Sequence, residues 1–144
     1  MQTFLPHLSV VDAIKILDNK RLGKQRVEAI QIASCLLEKE TKWKNHPAVL
    51  MWKGYEDYLV LWYLWLTILL YENRGFKNIK CLEHYSRLKK LVKYENIKRP
   101  PWYNAQFVER HQSNLLRKNK EYYSKYFPNV PDNLEYIWPT KIKE

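Results

Sequence analysis

The sequence predicts an all-α fold, in which residues 1–144 form a single compact helical domain around one long apolar central helix. Hydrophobic residues make up 46% of the chain and only three residues are glycine. No run of alternating apolar and polar residues persists, and a β-sandwich would need many such runs with turns between them. A chain of 144 residues is long enough for one hydrophobic core and short for two.

Two helices are expected in the first forty residues. Ser9 and Asp12 have the spacing of a helix N-terminus, so a short helix should begin there. Glycine in a helix costs about 1 kcal/mol relative to alanine, so Gly23 indicates a close approach by another part of the chain, such as a backbone. The second helix is expected from about Lys20 to Lys39, with an apolar face formed by Val27, Ile30, Ser34 and Leu37.

The central helix is predicted from "NHPAVLMW", where Asn45 or His46 caps the helix and Pro47 occupies the first turn. It is expected to run for about 25 residues to Gly75, which suits a helix C-terminus. Its longest apolar tract, residues 58–71, is shorter than the roughly 20 residues that a transmembrane helix needs. We therefore expect no membrane partner.

The second half of the chain predicts further helices around a proline-containing loop. A helix with a basic face is expected in "NIKCLEHYSRLKKLVKY", and "IKRPPWYN" should be a loop because two prolines interrupt a helix. The last helical region, residues 105–127, is predicted to break near Asn119. In the irregular tail that follows, Tyr136, Ile137 and Trp138 are expected to pack onto the core.

The charge and the cysteines indicate which partners to expect. Lys and Arg number 25 against 15 Asp and Glu, a formal net charge of +10, and nucleic acid is the usual polyanion for a small basic domain. Cys35 and Cys81 form no metal-binding spacing, so we expect two reduced thiols, no metal and no cofactor. With no signal peptide expected, the predicted location is cytoplasmic or otherwise intracellular.

Glu28 is the one carboxylate in the basic stretch "NKRLGKQRVEAIQI". Carboxylates among cations stay ionised, which suits a base or an anion that stabilises positive charge developing on a sugar. The alternative is an ordinary solvated helix face. Helical spacing places Glu28 on a polar ridge with Arg21, Lys24, Gln25 and Gln31.

Two further segments combine cations with stacking or hydrogen-bonding groups. The loop that carries Arg99, Trp102 and Tyr103 offers surfaces for bases and phosphates, although the two aromatic residues could equally fill the core. A second set lies at helical spacing and consists of Arg110, Asn114, Arg117 and Lys118. These residues could line a groove that binds phosphates, or they could form an ordinary solvated helix face.

Three segments resemble the pyrimidine-dimer DNA glycosylases, the phage-type UV endonucleases. They are "LDNKRLGKQRVE", "HPAVLMWKGYEDYLVLWYLWLTILLYENRGF", and "ERHQSNLL" with the tail "EYIWP". The segments "MQTFLP" and "RLGKQRVE", together with "NHPAVLMW", are similar to a bacterial and viral branch of that family.

The resemblance implies excision of damaged or modified pyrimidines from duplex DNA, followed by strand cleavage through a Schiff base. It assigns catalysis to Glu28 and to an N-terminal α-amine, a group whose unperturbed pKa is about 7.7–8.0. Since Gln2 is a bulky residue that normally blocks removal of Met1, the amine is expected on Met1. Arg21 and Arg26 complete the expected catalytic set.

We expect a monomer that binds double-stranded DNA. The predicted DNA-binding residues are Lys20, Lys24, His46, Arg99, Trp102, Tyr103, His111, Asn114, Arg117 and Lys118. Two alternatives remain open at this stage. One is a non-catalytic DNA-binding module on the same scaffold, and the other is a basic helical protein that binds RNA or an acidic partner.

Overall fold

The computed structural model describes residues 1–95 and 97–139, which contain helices, turns and loops and no strand. The all-α prediction is confirmed, and no described helix is long and apolar enough to cross a membrane. The α-helices are α1 (Val10–Ile16), α2 (Asn19–Leu37), α3 (Pro47–Trp52), α4 (Glu56–Tyr58), α5 (Trp65–Asn73), α6 (Ile79–Lys89), α7 (Ala105–Lys118) and α8 (Lys120–Tyr123), and a π-helical segment (Leu59–Leu64) joins α4 to α5.

Three predicted helix boundaries are confirmed by their capping hydrogen bonds. Ser9 Oγ accepts from the Asp12 N–H at 3.3 Å, at the start of α1. His46 Nδ1 accepts from the Ala48 N–H at 3.0 Å, at the start of α3. Asn119 separates α7 from α8 and accepts from the Tyr122 N–H at 3.1 Å. Each cap satisfies an N–H group that the helix itself leaves unpaired.

The prediction of one unbroken central helix is not confirmed. Gly54 has a φ of +93°, a left-handed conformation that ends α3 after Trp52. Helical geometry resumes at Glu56 and continues through the π-helical segment to Asn73. Gly75, also at φ +93°, follows the end of α5 as predicted.

The buried face of α2 matches the predicted one only in part: Ile30 and Ser34 are buried as expected, but the face as a whole is shifted. It follows Leu22, Gln25, Ala29 and Ile32, at helical spacing, and packs against α5, α6 and the π-helical segment. Val27 lies off this stripe and is 46% exposed, whereas Gln25, expected on the polar ridge, is buried. A Cβ added at Gly23 would lie 3.2 Å from the Tyr71 ring, so the close approach is by an aromatic side chain.

The N-terminal segment, which we define as residues 1–8, precedes α1 and has no regular secondary structure. Gln2 to Pro6 are buried, and no strand pairs with their backbone in the described residues. Side chains from distant helices bind it instead. The Phe4 N–H donates to Gln25 Oε1 at 2.8 Å, and the Leu5 N–H donates to His111 Nδ1 at 2.9 Å.

Its other polar groups are satisfied in the same way. Trp52 Nε1 donates to Thr3 Oγ1 at 2.9 Å, and Gln112 Nε2 donates to the Pro6 carbonyl oxygen at 2.9 Å. Tyr63 Oη lies 2.8 Å from the Phe4 carbonyl oxygen and 2.6 Å from Gln25 Oε1. Buried backbone groups need such partners, so these side chains fix the course of the N-terminal segment.

His111 is buried without exposure, and burial lowers its pKa to about 3. Its neutral ring accepts at Nδ1 from Leu5, so its proton is on Nε2. The predicted role of His111 in DNA binding does not match this position, because the ring is enclosed by Phe4, Phe107 and Tyr136.

We expect acid to destabilise the fold through His111. Between about pH 6.5 and about pH 3 the unfolded chain binds a proton at this residue and the folded chain does not. Stability should therefore fall with decreasing pH by up to about 1.4 kcal/mol per pH unit in that window. Denaturant unfolding of His111→Asn, which keeps an acceptor for Leu5, should show a shallower acid dependence. His7→Asn, at an exposed histidine, controls for the loss of an imidazole. If stability depended on pH in His111→Asn as it does in the wild type, His111 would not be the residue that makes the fold sensitive to acid.

Tyr63→Phe should destabilise the protein by about 1–3 kcal/mol, because it leaves the buried Phe4 carbonyl oxygen without a donor. The free energy of unfolding in urea measures this. Tyr94→Phe, at a residue that is 54% exposed, is the matched control and should change stability by less than about 0.5 kcal/mol. Equal effects of the two changes would show that the Tyr63 hydroxyl does not hold the N-terminal segment.

Candidate active site

A cavity of about 380 Å³ opens where the chain begins. Its lining residues come from the N-terminal segment, from α2, from His46 before α3, from α7 and from the C-terminal tail. Its lining combines the first residues of the chain with cations and aromatic rings. The lining residues are Met1, Gln2, Phe4, Lys20, Arg21, Lys24, Gln25, Glu28, His46, Lys118, Tyr136 and Trp138.

The α-amine of the chain and one carboxylate face each other in this cavity. Met1 N lies 3.9 Å from Glu28 Oε1. The peptide N–H of Gln2 donates to the same oxygen at 2.8 Å, which anchors the carboxylate to the N-terminal segment. The Glu28 side chain is 19% exposed. It is therefore held in place while remaining accessible from the cavity.

Cations surround this pair on two sides. Lys20, Arg21 and Lys24 come from the first turns of α2, and Lys118 comes from the last turn of α7. Both lysines of α2 and Lys118 are exposed, whereas Arg21 is half-buried and pairs with Asp18 at 3.2 Å. Exposed ammonium groups around a cavity attract phosphate oxygens.

Aromatic rings from the C-terminal tail form the remaining wall. Tyr136 and Trp138 lie edge to face, with ring centroids 5.4 Å apart. Burial raises the pKa of Tyr136 to about 12, so its hydroxyl keeps its proton at neutral pH. The predicted packing of the tail is confirmed for Tyr136 and Trp138, which pack partly buried against the core, but not for Ile137. Residues 140–144 of the predicted tail lie outside the described residues.

Side chains on α7 hold the tail in place. Arg117 donates to the carbonyl oxygens of Asp132 and Leu134 at 2.5 and 2.8 Å. Arg110 donates to the Glu135 carbonyl oxygen at 3.2 Å. Asn114 donates to Arg110 and Leu134 carbonyl oxygens. The predicted phosphate ligands Asn114 and Arg117 are thus engaged within the protein and lie outside the cavity lining.

Arg99, Trp102 and Tyr103 also lie away from the cavity. Trp102 and Tyr103 are buried, and Trp102 Nε1 donates to the Met51 carbonyl oxygen at 3.0 Å. Arg99 stacks on the Tyr103 ring at 3.6 Å and donates to the Leu8 carbonyl oxygen. Of the two readings open for this loop, the structure corresponds to aromatic residues that fill the core.

Arg26, which was predicted to be catalytic, is not among the residues that line this cavity. Its guanidinium group stacks on the Tyr71 ring at 3.8 Å and donates to Asn78 Oδ1 at 2.5 Å. It borders a second cavity, of about 590 Å³. The two cavities share the lining residues Met1, Lys20, Lys24 and Glu28.

Sequence reasoning missed three residues that build the site. Gln2 contributes the N–H that anchors Glu28, and its own Oε1 accepts from the Thr3 N–H at 2.9 Å. Gln25 accepts from the Phe4 N–H, and Tyr63 donates to the Phe4 carbonyl oxygen. The burial of Gln25 could have been predicted, because its helical spacing from Leu22 and Ala29 places it on the buried face of α2.

Within residues 1–95 and 97–139, no group of three or more His, Cys, Asp or Glu side chains lies close enough together to hold a metal ion. The chemistry that this cavity offers comes from an amine, a carboxylate, cations and neutral hydrogen-bond donors.

Comparisons with known proteins address the N-terminal half of this arrangement. Neither the curated proteins nor the solved structures gave a significant match. A family model described as "Pyrimidine dimer DNA glycosylase" matches residues 1–84, more than half of the chain. The matched range contains Met1, Glu28 and His46, whereas α7 and the tail lie beyond it. The chain belongs to the pyrimidine dimer DNA glycosylase family.

Proposed function

We propose that this protein excises damaged pyrimidines, pyrimidine dimers among them, from duplex DNA, and that it then cleaves the abasic strand. The observation that carries the proposal is the 3.9 Å approach of the Met1 α-amine to Glu28 within one cation-lined cavity. Pyrimidine-dimer DNA glycosylases act on DNA, and the exposed lysines at this cavity suit a phosphate backbone.

Base release requires the reacting nucleotide to leave the base stack and enter the cavity. The free-base form of the Met1 amine attacks C1′, and the C1′–N1 bond breaks with its electron pair passing to the base. Glu28 stabilises the positive charge that develops on the sugar. It also accepts the proton that the attacking nitrogen loses, and returns it to the departing base.

Strand cleavage follows from the same covalent bond. Ring opening of the sugar converts the Met1–C1′ adduct into an iminium ion, a Schiff base. Loss of a proton from C2′ then expels the 3′ phosphate, and hydrolysis releases the Met1 amine. A fixed amine favours this sequence, because holding the nucleophile in position removes much of the entropic cost of attack.

Glu28→Gln should lower the rate of base release by at least about 100-fold, while binding to duplex DNA survives. The variant keeps an oxygen to accept the Gln2 N–H, so the N-terminal segment should stay in place. Single-turnover release from UV-irradiated duplex DNA measures the rate, and an electrophoretic shift measures binding. Glu83→Gln, on the exposed side of α6, makes the same charge change as a control. Wild-type turnover in Glu28→Gln would exclude this role.

Borohydride reduction during the reaction should trap a covalent adduct between Met1 and the abasic sugar. Peptide mass spectrometry after trypsin digestion identifies the residue that carries the sugar. Acetylation of the N-terminus should prevent trapping, while Lys20→Ala and Lys24→Ala, which remove the nearest ε-amines of α2, should still give the adduct. An adduct on Gln2 would show that Met1 is removed, and an adduct on a lysine would contradict the α-amine mechanism.

A further inference from the structure

Among the described residues, His46 is bound through one of its two ring nitrogens. Nδ1 accepts the Ala48 N–H at the start of α3, so the proton of the neutral ring is on Nε2. Nε2 has no hydrogen-bond partner in the described part of the chain, and it is not among the polar atoms that are sealed from solvent. Because His46 lines the cavity that holds Met1 and Glu28, this N–H is a donor available to a ligand there.

The ring of His46 is fixed in direction. Trp43 and Trp138 lie edge to face on it, each with a centroid distance of 6.1 Å. Burial lowers the pKa of His46, the positive charge of the Met1 amine lowers it further, and Glu28 acts in the opposite direction. The imidazole is therefore a neutral donor whose orientation is set by the helix cap and by two indole rings.

We propose that His46 is a further catalytic residue, whose Nε2–H donates a hydrogen bond to a carbonyl oxygen of the departing pyrimidine. This inference rests on the proposed function. The electron pair of the C1′–N1 bond passes to the base and spreads onto its carbonyl oxygens. A fixed donor at such an oxygen binds more strongly as that charge develops. Neutral histidine is known to polarise carbonyl groups in this way.

The position of His46 favours the base over the phosphate or the sugar. Four cations around the cavity, Lys20, Arg21, Lys24 and Lys118, are suited to phosphates. Met1 and Glu28 are assigned to the sugar. His46 instead belongs to the aromatic wall with Trp138, the kind of surface on which a flipped base stacks. The Nε2 proton stays on His46, because the base receives its proton through Glu28.

Two substitutions distinguish the helix-capping role of His46 Nδ1 from the proposed donor role of Nε2–H. His46→Asn keeps an acceptor close to the Nδ1 position and is a preferred N-cap, but its side chain is too short to place a donor where Nε2 lies. His46→Gln places an amide N–H near the Nε2 position and loses the cap. We expect His46→Asn to melt near the wild-type temperature and to release base about 100-fold more slowly. His46→Gln should melt at a lower temperature and keep a rate within about tenfold of wild type.

The measurement is single-turnover base release from UV-irradiated duplex DNA at saturating enzyme, together with thermal unfolding and DNA affinity for each variant. A wild-type rate of base release in His46→Asn would overturn the proposal. It would also be overturned if, in both variants, the rate fell in proportion to the loss of thermal stability. If Glu28→Gln is inactive and His46→Asn is fully active, the proposed function is supported and the role of His46 is rejected. If the wild-type protein releases no base, the proposed function and this role fail together.

Discussion

The structure depends on one constraint, the binding of a buried N-terminal segment by side chains from the core. Backbone groups that would pair in a sheet are satisfied here by Gln25, Tyr63 and His111, which come from three separate helical elements. The α-amine consequently has a defined position beside Glu28. A terminal amine on a loose chain would have to be ordered at each encounter with DNA, and that ordering would oppose the reaction.

The excess of positive charge is divided between two uses. Several arginines in the basic half of the chain organise the protein itself: Arg99 and Arg117 bind main-chain carbonyl oxygens, and Arg117 thereby holds the tail that carries Trp138. Planar guanidinium groups with several donors suit such contacts. The exposed cations at the cavity are lysines, which can follow the phosphates of an approaching duplex.

Local signals in the sequence predicted much of the fold, because caps and prolines act within a few residues. Ser9, His46 and Asn119 mark real helix boundaries for this reason. The turn at Gly54 was not predicted, since one glycine within a long apolar pattern is also tolerated inside a helix. Trp102 shows a different limit: its burial depends on contacts with α3 that local pattern does not contain.

The burial of residues 2–6 has a consequence for how the protein can be produced. Any residue added ahead of Met1, for example by an affinity tag, would convert the α-amine beside Glu28 to an amide and lengthen the chain at the cavity. Under the proposed function, such an extension would remove the nucleophile while leaving every side chain of the cavity unchanged.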